Sequence, residues 1–387
     1  MSQPNPDILA ARQARVRAAL GREGLEGIVL VHLPNIRYLT GFGGSSAIVV
    51  LTAARLVLMT DGRYTTEVDQ TVKPACAALE LVKVDTTYDD TLARVVGALG
   101  PVRLGIEGGH LSVSRYNLLT SRLSGGSGSG GAGSPELVPV ERLVEAERLL
   151  KDEVEVALFR EAAAMLDEAA AAVLGDLRAG QRESDVAADV DWCLKRAGFE
   201  RTSFETIVAS GPNAALPHAR PGNRDLRAGD LVILDFGGVH GGYCVDMTRT
   251  VSVGTPGAEA QRLYDAVAGA LSAAVEAVRP GATAGDVDSA ARAVLDQAGL
   301  GQAFTHGTGH GLGLEVHEEP RIGPVRANAA GVPLATRDEV LAPGLVITVE
   351  PGVYVPGLGG VRIEDDVLVT AHGCEVLTRA PRDMLVI

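Results

Sequence analysis

An internal repeat in the later part of the chain constrains its fold more than any other feature of the sequence. LRAGQRESDVAADVDWCLKRAGF (177–199) and VRPGATAGDVDSAARAVLDQAGL (278–300) share an Arg, a Gly, an Asp-Val pair and a closing Ala-Gly at equivalent positions. Each copy predicts a turn, then a helix that begins near Asp-Val and ends at Ala-Gly. We therefore expect two similar halves related by a pseudo-two-fold axis.

Two further pairs of segments extend this repeat beyond the predicted helices. RAGDLVILDFGG (227–238) matches LAPGLVITVEPG (341–352), and GGYCVDMTRTV (241–251) matches GGVRIEDDVLV (359–369). The matches align Asp235 with Glu350 and Asp246 with Glu364. If each half supplies two acids from a β-hairpin toward the shared axis, four carboxyl groups converge on one place.

Four converging carboxylates repel one another unless cations neutralise them or they take up protons. The segment FTHGTGHGLGLEVHEEP (304–320) adds three histidines among glycines that permit close backbone approach. We take His310 as a fifth ligand. One imidazole and four carboxylates suit a pair of Mn, Co or Zn ions, and the dominance of carboxylates favours Mn. Such a pair can polarise a carbonyl and stabilise the oxyanion of hydrolysis.

A lone Asp at a strand end is more often a turn or capping residue than a metal ligand. The two matched pairs of acids, each around a glycine-rich turn, favour ligation here. Residues two apart on a strand share a face, so Thr248 should lie beside Asp246 and Arg362 beside Glu364. We expect Thr248 and Arg362 to support the ligands through hydrogen bonds.

Length, charge and cysteine usage exclude several classes of protein. A chain of 387 residues favours two domains. A net charge of −14 argues against nucleic acid as a partner and against binding to anionic lipid. We find neither an apolar export segment nor a run of about 18 apolar residues. The four cysteines have no CxxC spacing and are expected to be reduced, buried thiols. These observations predict a cytoplasmic protein with no membrane partner.

The first part of the chain alternates β-rich runs with helical patterns, which predicts an α/β domain over residues 1–145. A helix-rich segment is predicted from near Val140 to a stop at Gly180, and a second domain over residues 146–387. The tract SGGSGSGGAGSP (124–135) is expected to form a mobile surface loop. We expect Trp192 on a core-facing helix face. The histidines outside the motifs are expected at the surface or in loops: His32, His110, His240 and His372.

Several motifs together resemble the pita-bread metallopeptidases, which include prolidase, aminopeptidase P, methionine aminopeptidase and creatinase. YLTGFGGSSAIVVLT and MTDGRY are similar to the amino-terminal domain of aminopeptidase P and small prolidases. LDFGGVHGGYCVDMTRT, HGTGHGLGLEVHEEP, ITVEPGVY and VRIEDDVLV, in that order, resemble the catalytic domain. The resemblance implies a creatinase-like amino-terminal domain, a pita-bread catalytic domain with a pseudo-two-fold repeat, and a homodimer.

The same resemblance implies roles for particular residues. The implied metal ligands are Asp235, Asp246, His310, Glu350 and Glu364, with Asp246 bridging two ions. Glu350 would also act as general base and pass a proton to the leaving proline nitrogen. The implied residues around the substrate are His218, which stabilises the transition state, His317 at the carbonyl, His306 in the proline pocket, Tyr354 near the site and Arg362 behind the ligands.

The implied activity is hydrolysis of Xaa-Pro bonds in small peptides with proline at the second position, and we favour a dipeptidase (prolidase). An aminopeptidase P that removes the first residue of longer Xaa-Pro peptides shares the same metal site. The complete ligand set argues against creatinase and against a binding protein that has lost catalysis. The extra amino-terminal domain and HEEP argue against methionine aminopeptidase.

Overall fold

The computed structural model describes residues 5–100, 102–124, 134–324 and 340–387. The described residues divide into two compact units, up to Arg148 and from Leu149 onward. Most of the predicted mobile loop at 124–135 lies outside the described residues. Within the described residues, no helix is long and apolar enough to cross a membrane.

The amino-terminal unit is built on a mixed sheet with helices packed against it. Its strands are β1 (Gly27–Leu30), β2 (Ile48–Thr52), β3 (Leu56–Thr60), β4 (Leu79–Lys83), β5 (Arg103–Glu107) and β6 (Glu136–Val140). Its helices are α1 (Pro6–Arg22), α2 (Leu33–Thr40), α3 (Thr65–Glu67), α4 (Lys73–Ala75), α5 (Tyr88–Gly97), α6 (Val113–Ser124) and α7 (Leu143–Arg148).

The strand order of this sheet is β4–β3–β2–β1–β5–β6. Strand β2 is antiparallel to both β1 and β3, whereas β4 pairs in parallel with β3, β5 with β1, and β6 with β5. Alternate residues of β2 and β3, such as Val50 and Val57, pack with Leu92, Val95 and Val96 of α5 in one apolar core. This unit confirms the predicted α/β domain.

The described part of the second unit contains two helix pairs and three sheets. Its helices are α8 (Glu153–Asp176), α9 (Glu183–Ala197), α10 (Ala258–Ala277) and α11 (Ala284–Gln297). Its strands are β7 (Arg201–Thr202), β8 (Ile207–Ser210), β9 (Leu231–His240), β10 (Tyr243–Ser252), β11 (Gly309–Gly311), β12 (Glu318–Ile322), β13 (Val346–Val349), β14 (Gly352–Val355), β15 (Gly359–Arg362), β16 (Asp365–Val369) and β17 (Cys374–Val376).

The predicted repeat is confirmed in the helices. Helices α9 and α11 occupy equivalent places. A left-handed glycine caps α9 at Gly198 (φ 106°), and another, Gly299 (φ 71°), follows the C-cap residue Ala298 of α11. In one half, α8 and α9 pack against β8, β9 and β10; in the other, α10 and α11 pack against β12 and β15. The two halves therefore bury their apolar helix faces in the same manner.

Three sequence expectations differ from the structure. The segment after Val140 is interrupted, because α7 ends at Arg148 and α8 begins only after Asp152, whose carboxylate caps the new helix in a capping box with Glu155. Trp192 is 62% exposed, so the expectation that it faces the core is wrong. Of the cysteines, Cys193 and Cys374 are partly exposed rather than buried.

Candidate metal centre

The hairpin of β9 and β10 carries the first two predicted ligands. The strands pair in continuous antiparallel register, which places Asp235 opposite Thr248 and Asp246 opposite Gly237. Residues 246, 248 and 250 share one face of β10. That face is directed at the second half, where the Thr250 hydroxyl accepts from the Arg362 amide and donates to the Arg362 carbonyl.

The second hairpin is split where the first is continuous. Strand β13 pairs with β16, and β14 pairs with β15. Between these two pairs, both arms of the hairpin lose their hydrogen bonds to each other. Glu350 and Glu364 lie at these interruptions. Their backbone amides donate to the Thr308 carbonyl at 2.7 Å and the Thr248 carbonyl at 3.1 Å, respectively. The second bond belongs to an antiparallel bridge that joins the two halves.

His310 lies on β11, close to the acids of both halves. Its Nε2 is 4.0 Å from Asp246 Oδ2 and 3.8 Å from Glu350 Oε1. Its Nδ1 is 3.0 Å from the Gly311 carbonyl, which can only accept, so Nδ1 carries the proton and Nε2 presents a lone pair to the acids. Burial lowers the pKa of His310 to about 3, which keeps this lone pair free at neutral pH.

Glycines on both sides of His310 let β11 fit between β12 and β13. A Cβ at Gly309 would lie 2.0 Å from the Thr348 carbonyl oxygen, and one at Gly311 would lie 2.1 Å from the Glu319 carbonyl oxygen. Any other residue would push the strand away from its neighbours. The glycines therefore fix the depth at which the imidazole stands among the acids.

Asp246, His310 and Glu364 form the tightest group, with one ligand atom from each within 4.8 Å of the others. Glu350 lies next to this group, with its Oε1 3.8 Å from His310 Nε2. Asp235 lies beside it, and its Oδ2 accepts from Arg362 Nη2 at 2.5 Å. The structure thus brings together all five residues predicted as ligands.

The electrostatics of this group fit divalent cations. Burial, followed by repulsion from neighbouring acids, raises the pKa of Asp246 and of Glu364 well above the usual range. Burial also raises the pKa of Glu350 to about 7, against the opposing attraction of Arg362. Oδ1 of Asp235 and Oδ1 of Asp246 are buried with no hydrogen-bond partner among the described residues. Cations would satisfy these oxygens and keep the acids ionised.

A chain of hydrogen bonds runs from Asp235 to His306 on one side of the acids. Arg362 donates to Asp235, to the Thr248 hydroxyl at 3.2 Å and to the Tyr354 hydroxyl at 2.7 Å. Tyr354 lies 2.9 Å from His306 Nε2, while His306 Nδ1 faces the Gly307 carbonyl at 2.8 Å. Tyr354 therefore donates to His306 and accepts from Arg362.

Burial shifts the pKa values of both partners in the Tyr354–His306 hydrogen bond. It raises the pKa of Tyr354 to about 12, so the phenol keeps its proton. It lowers the pKa of His306 to about 4, with the positive charge of Arg362 acting in the same direction. His306 is therefore a neutral ring at pH 7 that presents a flat, rigid surface.

The other two predicted histidines lie toward solvent. His317 is exposed, and its ring stands edge-on to the ring of His310 with 4.5 Å between centroids. His218 is exposed on the segment after the 3₁₀ turn Gly211–Ala215, within electrostatic range of His306 and His317. Both side chains are therefore accessible from solvent, unlike the buried acids.

Sequence reasoning missed residues that hold the site in place. Asp288 of α11 accepts from the Thr308 hydroxyl at 2.8 Å, and Arg292 donates to the His306 carbonyl at 2.5 Å. Their four-residue spacing on a helix was the available signal. Asp366 accepts from the Asp246 amide at 3.1 Å, and Arg249 donates to the Glu364 carbonyl at 2.6 Å. These buried partners carried no recognisable spacing.

Two family models match the chain in succession. The model described as "Creatinase/Prolidase N-terminal domain" matches residues 12–150, and the model described as "Metallopeptidase family M24" matches residues 157–371. A relative that is similar over almost its whole length is the uncharacterised peptidase YqhT of Bacillus subtilis (strain 168). The two are 36% identical over 373 residues, which is 96% of this chain and 99% of that protein.

Solved structures of two kinds of peptidase resemble the whole chain. An Xaa-Pro dipeptidase from Bacillus anthracis is 34% identical with a TM-score of 0.88, covering 98% of this chain and 100% of that one. An X-Pro aminopeptidase from Thermotoga maritima MSB8 is 30% identical with a TM-score of 0.82, covering 96% and 100%. These matches confirm the predicted creatinase-like and pita-bread architecture.

The segment matched by the M24 model covers more than half of the chain and includes all five clustered residues. It also includes both copies of the repeat and the hairpins that carry the acids. The chain therefore belongs to metallopeptidase family M24 and is a peptidase.

Proposed function

We propose that the protein is an Xaa-Pro dipeptidase with two divalent metal ions, which releases proline from dipeptides. The observation that carries this proposal is the convergence of acids from both halves on the neutral imidazole of His310. Two of the converging carboxylates, Asp235 and Asp246, have a buried oxygen without a hydrogen-bond partner among the described residues. Similarity to the Xaa-Pro dipeptidase of Bacillus anthracis supports the choice of substrate.

We assign the two ions, with Mn²⁺ favoured and Co²⁺ or Zn²⁺ as alternatives, to the five clustered residues: Asp235, Asp246, His310, Glu350 and Glu364. Bound ions would supply Lewis acidity toward the scissile carbonyl and toward water. The carboxylate-dominated donor set supports Mn²⁺. Arg362 supports the assignment by orienting Asp235 through one oxygen while the other stays free of hydrogen bonds within the described residues.

Glu350 is assigned as general base. Its side chain is 20% exposed, whereas that of Asp246 is 6% exposed, so Glu350 is the acid of this pair more accessible to water. In the metal-free site burial raises the pKa of Glu350 to about 7, so this carboxyl takes up a proton more readily than an ordinary glutamate does. Glu350 would take a proton from the attacking water and deliver it to the proline nitrogen as the bond breaks.

His317 and His218 are assigned to the substrate's carbonyl and its transition state. Both are exposed, His317 stands against His310, and His218 lies within electrostatic range of His317. A donor at this position stabilises negative charge that develops on the carbonyl oxygen. Their exposure supports a role at the entrance, where a small peptide would arrive.

His306 and Tyr354 are assigned to the pocket for the proline ring. An Xaa-Pro nitrogen has no hydrogen, so a site cannot select it through a donated hydrogen bond. Shape has to provide the selection instead. The ring of His306 is held at both nitrogens, by Tyr354 and by the Gly307 carbonyl, which supports its use as a rigid wall.

An Xaa-Pro aminopeptidase is the second candidate, because the Thermotoga maritima enzyme resembles the chain along 96% of its length. The two activities differ in the length of peptide that the site accepts beyond proline. A binding protein without catalysis is a more distant alternative, and the intact group of five residues argues against it.

The test is to measure kcat/KM for Ala-Pro, Ala-Pro-Pro and Ala-Ala with the Mn²⁺-loaded enzyme. We expect Ala-Pro to be cleaved fastest and Ala-Ala poorly. Preference for Ala-Pro-Pro would reassign the enzyme as an aminopeptidase. Equal turnover of Ala-Pro and Ala-Ala would refute the assignment to Xaa-Pro bonds altogether.

A further inference from the structure

A second cluster of metal-binding side chains lies in the amino-terminal unit, outside the centre described above. Its members are His32, His110 and Glu145, one ligand atom from each lying within 4.8 Å of the others. They come from three separate segments of that unit. None of the three is used in the proposed peptidase reaction.

The topology of the sheet explains why the two histidines meet. His32 follows β1, and His110 follows β5 in the loop before α6. Because β1 and β5 are parallel neighbours, their carboxyl ends lie at the same edge of the sheet. Glu145 stands in the first turn of α7, next to this edge.

The side chains are arranged around one carboxylate oxygen. Glu145 Oε1 is 3.7 Å from His32 Nδ1 and 3.5 Å from His110 Nε2. The two imidazoles stack with 3.7 Å between centroids and 8° between planes, so one ring must turn before the in-plane lone pairs of both can point at one ion. Ligand atoms about 2.0–2.1 Å from a tetrahedral ion stand roughly 3.3 Å apart, close to the 3.7 and 3.5 Å that separate Glu145 Oε1 from the two histidine nitrogens, and the His110 ring is exposed enough to turn.

Neighbouring side chains hold this arrangement in place. Asn35 Nδ2 donates to Glu145 Oε1 at 2.6 Å and to Glu107 Oε1 at 2.7 Å, and Arg148 donates to Asn35 Oδ1 at 2.6 Å. The other Glu107 oxygen accepts from the His32 amide at 2.8 Å. One hydrogen-bond network thereby fixes both the backbone of His32 and the carboxylate of Glu145. Metal ligands are commonly oriented by hydrogen bonds of this kind.

We propose that His32, His110 and Glu145 bind a divalent transition-metal ion such as Zn²⁺, separately from the peptidase centre. Two imidazoles and one carboxylate suit Zn²⁺ and its neighbours in the first transition series and not Mg²⁺ or Ca²⁺, which prefer oxygen ligands. The His110 side chain is 37% exposed, which gives an ion a path from solvent and leaves room for water as a further ligand.

A bound ion would connect the carboxyl ends of β1 and β5 to α7. Because the three ligands converge only in the folded unit, binding would stabilise that unit by mass action. None of its three ligands belongs to the five residues assigned to the peptidase centre. Peptidase activity is therefore expected to be independent of this site.

The test is a Zn²⁺ titration of the metal-free full-length protein, by calorimetry with elemental analysis of the complex. The wild type should bind one more Zn²⁺ per chain than His110→Ala, or bind it at least about tenfold more tightly. His110→Cys restores a zinc ligand and should restore this ion. His372→Ala, which removes an exposed histidine elsewhere, should bind as the wild type does.

The Glu364→Gln variant separates this site from the peptidase centre. Its Zn²⁺ content should fall by one further ion per chain when His110→Ala is added. His110→Ala alone should keep kcat/KM for Ala-Pro with Mn²⁺ within about twofold of the wild type, a change below roughly 0.5 kcal/mol in barrier. Equal Zn²⁺ content and affinity in the wild type and His110→Ala would overturn the proposal, whether or not the protein cleaves Xaa-Pro bonds.

Discussion

At the scale of single residues, the metal centre is a group of charges that the protein alone does not balance. Arg362 is hydrogen-bonded to Asp235, while Asp246, Glu364 and Glu350 have raised pKa values because of burial and mutual repulsion. Divalent cations are the counter-charge that such a group requires. Exchanging one of these carboxylates for an amide removes charge and keeps shape, so it tests ligation with little disturbance of packing.

Asp246→Asn should lower kcat by more than tenfold, a barrier increase above about 1.4 kcal/mol, and should reduce the Mn²⁺ content. An amide nitrogen cannot replace a carboxylate oxygen as a ligand of a divalent cation. Asp230→Asn is the matched control, because Asp230 is also buried but pairs with Arg224, outside the group of five. It should lower stability and leave the Mn²⁺ content unchanged. Asp246→Asn with a tenth or more of wild-type kcat would show that Asp246 is not a ligand.

Substitutions of the histidines assigned to the substrate site should change different kinetic quantities. His317→Ala should reduce kcat/KM for Ala-Pro by a barrier increase on the order of 3 kcal/mol, as for loss of an oxyanion donor.

His306→Ala should instead narrow the difference in kcat/KM between Ala-Pro and Ala-Ala, because it removes a wall of the ring pocket. Kinetics of both variants on both substrates give the comparison. A ratio in His306→Ala equal to that of the wild type would remove His306 from the pocket.

At the scale of secondary-structure elements, the two hairpins differ in a way that serves the site. The β9–β10 hairpin is an unbroken ladder, and its acids project from regular strand positions. The equivalent hairpin is split, and Glu350 and Glu364 leave the ladder at the split. Strand β11 then fits closely between its neighbours because Gly309 and Gly311 have no side chain. The site therefore depends on the position of β11 as much as on its ligands.

Gly309→Ala should destabilise the protein by about 1–3 kcal/mol, because the added methyl overlaps the Thr348 carbonyl. It should also lower kcat/KM, since β11 must shift and carry His310 with it. Gly175→Ala is the control, because Gly175 lies in α8 with open space around its Cα. There the substitution should be neutral or stabilising by up to about 1 kcal/mol. Denaturant unfolding and Ala-Pro kinetics measure both effects, and an unaltered Gly309→Ala enzyme would contradict this account of β11.

The sequence predicted the convergence of the acids because the repeat aligns Asp235 with Glu350 and Asp246 with Glu364. That alignment requires no knowledge of how the strands pair. It did not predict the split hairpin, because the hydrogen bonds that replace the ladder there come from Thr248 and Thr308, far away along the chain. Long-range partners of this kind leave no periodic pattern in a sequence.

Local signals were also misread where tertiary packing decides the outcome. Trp192 occurs in a helix whose buried side is formed by smaller residues such as Val186, Val190 and Leu194, so the large ring lies outward. The helix-rich segment predicted from near Val140 is broken between α7 and α8, because the Asp152 carboxylate accepts from the Val154 and Glu155 amides and begins a new helix there.

At the scale of the whole molecule, the metal ions should contribute to stability as well as to catalysis. Binding to the folded state alone stabilises by about 2.7 kcal/mol when the free ion is at one hundred times its Kd. A chelator should therefore lower Tm and abolish hydrolysis, and added Mn²⁺ or Co²⁺ should restore both. Calorimetric scans with and without chelator measure the shift, with Asp246→Asn as the variant that should respond least. Full turnover after complete removal of metal would contradict the assignment.

We also expect the protein to be a homodimer, an expectation that rests on resemblance to the pita-bread peptidases. With a net charge of −14, association should strengthen as added salt screens repulsion between the chains. Sedimentation velocity across a dilution series, at low and moderate salt, gives the mass. A fully active monomer at every concentration would refute the expectation.

The bridge between Thr248 and Glu364 affects how readily the two halves of the catalytic unit separate. The Glu364 amide donates across the boundary between the two halves, and the Thr248 hydroxyl donates to the same residue's carboxylate at 2.7 Å. Neither half can separate from the other without breaking both bonds. Deuterium uptake at the Glu364 amide should therefore follow the global unfolding equilibrium, not local fraying, and should slow further when Mn²⁺ is bound.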